Sequence, residues 1–136
     1  LGTDQYHEPP NELPDHIRTF ARICTSLQEE AEAIGWYEQR IALETDPEAR
    51  AIMRDAQGEE FKHFSMDLEF LLRRKPRWRE ISQGILFQEG DIVEHGEEAE
   101  AEADPEAGAE AHSPHPSGPV DTSGSLGIGG LKGVPE

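Results

Sequence analysis

Glu60-Phe61-Lys62-His63 is a Glu-x-x-His motif, and Glu30 is a lone glutamate upstream of it. On a helix, positions i and i+3 lie on one face, so a carboxylate and an imidazole at that spacing can converge on one ion. Di-iron carboxylate bundles draw one Glu from each of two helices and one Glu-x-x-His from each of two others. One lone Glu and one Glu-x-x-His are half of that set, so the motif predicts pairing with a second copy of the chain. Oxygen and imidazole donors without thiolate suit iron, manganese or zinc.

The elements that must position these residues follow from periodicity and punctuation. A first helix is expected to begin near Asn11 to Asp15, with Pro14 tolerated in its first turn, and to run to about Glu44. Its apolar residues Ile23, Leu27, Ile34 and Ile41 follow a 3-4 spacing that also passes through Glu30 and Tyr37. Thr45-Asp46-Pro47-Glu48 reads as a stop and restart: Asp46 can cap, Pro47 suits the first helical position, and Glu48 favours the positive end of the dipole. The second helix is expected to run to about Arg74, ended by Pro76. A short third helix then carries Trp78, Ile81, Ile85, Leu86 and Phe87, and Gly90 breaks it.

With the turn between Thr45 and Asp46, Glu30 and Glu60 each lie roughly 22 Å from it at 1.5 Å rise per residue. In an antiparallel hairpin they therefore meet at one level. At 100° per residue, the arc around Glu60 holds Ala49, Ile52, Met53, Ala56, His63, Phe64, Leu68, Phe70 and Leu71. The ligand residues thus sit inside the apolar stripe, where a carboxylate is costly unless paired or metal-bound. Tyr37 lies two turns from Glu30 and is open to two readings, a hydrogen-bond donor to a ligand carboxylate or a core tyrosine. Glu29 and Glu32 read first as a solvated face and second as an outer acidic ring. Asp67 falls in the stripe without a match on the first helix, as an extra candidate ligand.

Length and charge set the remaining bounds. The chain of 136 residues is one domain in size and has a formal net charge of −17. Residues 88–119 carry 10 acids and no Lys or Arg. Nothing resembles a basic stripe, so nucleic acid is not an expected partner. No apolar run approaches the roughly 20 residues of a membrane span. Leu1 to Pro14 is polar and proline-rich, unlike a signal peptide, which makes the cytosol the default compartment. The single cysteine, Cys24, excludes an intrachain disulfide and reads as a small buried side chain. A two-helix hairpin with a short third helix has a thin core, which by itself calls for oligomerisation.

The expected organisation is a loose arm over residues 1–11, an all-α helical hairpin domain over 12–93, and a disordered acidic linker over 94–124. In residues 125–133, Leu126, Ile128 and Leu131 stand isolated in a glycine-rich setting, as in an extended docking peptide on a tether or a frayed terminus.

The run Glu29 to Tyr37, the Asp46-Pro47 turn, Glu59-Glu60-Phe61-Lys62-His63 and Leu86-Phe87-Gln88-Glu89-Gly90 together resemble the encapsulated ferritins. The Leu-Gly-Ile-Gly-Gly-Leu tip resembles the peptide by which such cargo docks inside encapsulin shells. The resemblance implies a ferritin-like four-helix bundle made by a homodimer, with dimers assembled into a decameric ring. It implies a di-iron ferroxidase centre of Glu30, Glu60 and His63 from each of two chains, with Tyr37 supporting Glu30 and with Ca, Mn or Zn as alternative occupants. Glu29, Glu32 and Trp36 would form the site through which iron approaches. Iron would be oxidised there and stored in the lumen of the nanocompartment. Gly35 and Gly58 depart from the family's more helix-compatible residues. Rival readings are a non-catalytic helical metal buffer, in which the acidic tail binds, and a peroxide-consuming di-metal carboxylate enzyme.

Overall fold

The computed structural model describes residues 5–105, and these contain four α-helices and no strand. The all-α class expected from the sequence is the class observed. Helix α1 spans Asp15–Leu43, α2 spans Pro47–Arg74, α3 spans Pro76–Ile85 and α4 spans Ile92–Glu102. They form two hairpins: α1 packs along α2, α3 packs against α4, and only a small contact joins α2 to α3. No helix among the described residues is long and apolar enough to cross a membrane.

The turn between α1 and α2 is closed by its own side chains. The Glu44 carboxylate accepts from the Thr45 and Asp46 amides at 2.9 Å. Asp46 Oδ1 accepts from the Ala49 amide at 2.8 Å, and Pro47 occupies the first helical position. Asp46 therefore caps α2 as its spacing to Pro47 predicts. Arg73 and Arg74 lie in the last turn of α2, at the negative end of its dipole.

The core is thin. Leu71 and Leu72 are 1% and 7% exposed, whereas α1 has no buried residue at all. Ile52, Trp36 and Met66 are more than half exposed on the long helices. Ile52 is thus on the apolar arc of Glu60 but not in the hairpin's own interface. This is the unfinished surface that a thin helical hairpin is expected to leave.

Helix α4 corrects the sequence reading. A disordered linker was expected from residue 94, because that stretch lacks apolar bulk, yet Ile92–Glu102 is helical and seated on α3. Asp91 caps it, its Oδ1 accepting from the Glu94 amide at 2.9 Å. The contact uses small residues: Ala99 and Ala103 are each 7% exposed, and Ala99 lies against Gly84. A search for bulky apolar residues misses a face built from alanine and glycine. Residues 5–11 of the expected arm are non-helical. Residues 106–124 of the expected linker, and Leu126, Ile128 and Leu131, lie outside the described residues.

Candidate metal centre

Glu30 on α1 and Glu60 and His63 on α2 converge. They are the only group of three or more His, Cys, Asp or Glu among the described residues able to hold a metal ion, with ligand atoms all within 4.8 Å of one another. His63 Nδ1 lies 3.5 Å from Glu60 Oε2 and 4.0 Å from Glu30 Oε2. Metal–ligand bonds of about 2.1 Å put two ligands of one cation at most about 4.2 Å apart. Both separations fit that limit without rearranging the helices. The carboxylates are 22–23% exposed and His63 is 46% exposed, so the imidazole lies at the rim of the hairpin.

The electrostatics also favour a cation. Glu30 has its pKa raised to about 6, chiefly by a hydrogen bond shared with Glu60, then by burial and by the charge of Glu60. His63 acts in the opposite direction and Asp67 adds to the rise. The closeness of Glu60 and partial burial thus make the Glu30 carboxylate costly to ionise, a cost that a cation would offset. Asp67 Oδ2 is buried and has no hydrogen-bond partner. Its charge reaches Glu30, but Asp67 is not among the three converging groups. A carboxylate oxygen buried without a partner is costly, and a nearby cation would offset that cost.

The other residues singled out in the sequence are less closely joined. Tyr37 makes no hydrogen bond to the three ligands; the Arg40 guanidinium lies over its ring, 5.3 Å from the centroid, and 6.0 Å from that of Trp36. Trp36 is 51% exposed, and Glu29 and Glu32 are exposed on α1. Within one chain they gather no third ligand. Cys24 is partly buried and its thiol pKa is raised by that burial.

Gln57 was missed in the sequence. It is 7% exposed and sits between the long helices. Its Nε2 donates to the Ile34 carbonyl at 3.2 Å and to Glu38 Oε2 at 2.8 Å. The available signal was its position on the arc around Glu60, since residue i−3 shares that face.

A helical hairpin carrying Glu on one arm and Glu-x-x-His on the other has the ligand pattern of ferritin-like helical proteins. The chain belongs to the EncFtn-like family, whose model matches residues 5–89. It is 39% identical over 132 residues to the encapsulated ferritin-like protein of Rhodospirillum rubrum, covering 97% of this chain and 91% of that protein. It is 43% identical over 95 residues to a ferritin-like protein of Thermotoga maritima, covering 70% and 83%. A crystal structure of a protein from Nitrosomonas europaea superposes with a TM-score of 0.64 at 37% identity, covering 66% of this chain and 99% of that one. The resemblance drawn from the sequence is thus the family found.

Proposed function

We propose that the chain is a ferroxidase whose substrate is Fe(II), bound between two copies and oxidised for storage inside an encapsulin compartment. The convergence of Glu30, Glu60 and His63 carries this reading. Two such sets related by a two-fold axis make the four-carboxylate, two-imidazole set of a di-iron bundle. Each Fe(II) gives up one electron to dioxygen, which is the chemistry the substrate brings.

The chain's own residues supply charge, geometry and access. Glu30 and Glu60 would offset the charge of a bound cation. His63, at the exposed rim, supplies a neutral nitrogen where the partner would approach. Ile52 and Met66 are apolar surface that a second copy would cover. Glu29, Glu32 and Trp36 would line the approach of Fe(II), and Tyr37 would support Glu30 once the partner closes the site. Dimers would build the decameric ring, and Leu126, Ile128 and Leu131 would dock the chain to the shell. The name of the Rhodospirillum rubrum relative, an encapsulated ferritin-like protein, supports the compartment.

The test is stopped-flow absorbance after anaerobic Fe(II)-loaded protein meets oxygenated buffer. Wild type should form Fe(III) rapidly, and Glu60→Gln and His63→Ala should each lose roughly 100-fold or more in rate, since a direct ligand should matter at least as much as an outer partner, whose loss costs about 10–100-fold. Wild-type rates in both variants would sink the assignment.

A further inference from the structure

Helices packed side by side can slide along one another. One helical residue of axial slip displaces a ligand by about 1.5 Å. The three ligand atoms lie within 4.8 Å of one another, so such a slip would spoil the cluster. Two side chains resist it by reaching across to main-chain carbonyls. Arg50 Nε donates to the Ile41 carbonyl at 3.2 Å, near the turn. Gln57 Nε2 donates to the Ile34 carbonyl and to Glu38 Oε2.

The Gln57 contact is the one beside the metal centre. Gln57 precedes Glu60 by one helical turn, and Ile34 follows Glu30 by one turn. The amide therefore spans the two helices one turn from the two carboxylates, toward the hairpin turn. A carbonyl oxygen is fixed to the helix axis, so a bond to it reads axial position in a way that apolar contacts do not. Glu38 makes the bond charge-assisted and holds the same amide group from a second direction. Gln57 is also the one buried polar residue of the described chain, and a buried amide left without partners is costly. Register is thereby tied to the satisfaction of that amide.

We infer that Gln57, braced by Glu38, is a positioning residue that holds α1 and α2 in the register at which Glu30, Glu60 and His63 meet. This rests on the metal-centre reading, and it concerns a residue that touches no ligand. Loss of the clamp should weaken metal binding roughly 10-fold, as loss of an outer partner of a metal ligand does. The chain should stay helical, because Leu fills the space of the amide.

The experiment uses the full chain with Co(II), a redox-stable divalent probe with a visible spectrum. Affinity is measured by titration calorimetry and ligand geometry by the Co(II) absorption bands, for wild type, Glu60→Gln, Gln57→Leu, Glu38→Ala and Glu38→Gln. Gln57→Leu should show the roughly 10-fold loss and altered bands, with metal-free helical content retained. Glu38→Ala, a change at an exposed side chain that leaves the core intact, should show part of the loss. Glu38→Gln keeps an acceptor oxygen and should restore near wild-type binding. The combined Gln57→Leu and Glu38→Ala variant should add little to Gln57→Leu alone, since both break one unit. Wild-type affinity and bands in Gln57→Leu, or in Glu38→Ala should Gln57→Leu fail to fold, would overturn the positioning role. Equal Co(II) binding by wild type and Glu60→Gln would overturn the metal centre itself, and the clamp's purpose with it.

Discussion

In the α1–α2 hairpin the helices are held by side chains that reach across: Arg50 to Ile41 and Gln57 to Ile34. In the α3–α4 hairpin they are held by side chains that are absent or small, with Gly84 against Ala99. The first arrangement leaves room between the helices for carboxylates and an imidazole. The second leaves none: a Cβ added at Gly84 would lie 2.6 Å from that of Ala99. Close approach of small residues leaves no room for a site between α3 and α4, whereas polar side chains bridge α1 and α2 beside the converging ligands. The converging ligands and exposed apolar residues such as Trp36, Ile52 and Met66 lie on the same two long helices.

The largest expected effect breaks the second hairpin alone. Gly84→Ala forces overlap with Ala99 and should cost about 1–3 kcal/mol of α4 docking. Hydrogen exchange should then show faster exchange of α4 amides, with Co(II) affinity at the first hairpin unchanged. Adding Ala99→Gly should restore protection, because it removes the other half of the overlap. Unchanged exchange in Gly84→Ala would contradict the close-approach account.

A smaller effect belongs to the first hairpin. Glu30 titrates at about 6 in the folded chain, above the ordinary carboxylate value of 4.5. The folded state therefore binds more protons than the unfolded state between those values. Metal-free stability should rise as pH falls from 7 toward 4.5, and be lost as pH climbs through 6. After screening by solvent the gain should be about 1 kcal/mol. Thermal melts of the metal-free chain measure it, and Glu30→Gln should flatten the profile.

The long hairpin was legible because its signals are redundant. Asp46-Pro47, the apolar spacing and the matched distances of Glu30 and Glu60 from the turn all require the same antiparallel pair. The triad was legible for the same reason, since helical geometry turns sequence spacing into height and face. Helix α4 was not, because Ala99 and Ala103 carry little apolar bulk and their value depends on Gly84, fifteen residues upstream of Ala99. Gln57 was passed over because its partners are a carbonyl and an exposed glutamate on the other helix, which no local pattern announces.

The smallest effect concerns two glycines in the long helices. A Cβ at Gly35 or Gly58 meets nothing within 4 Å, unlike one at Gly84. Gly35→Ala and Gly58→Ala should each stabilise the fold by up to about 1 kcal/mol through helix propensity. Denaturant melts read this directly. Destabilisation at either position would mean that a second copy approaches there, placing the interface on the wrong face for the metal centre.

The central claim is that one chain holds half a site. Anomalous scattering at the iron edge, from crystals loaded with Fe(II), tests it most directly. The account predicts peaks beside a two-fold axis, each within bonding distance of Glu30, Glu60 or His63 residues drawn from two chains. Peaks ligated within a single chain, or lying only among other acidic residues, would contradict it.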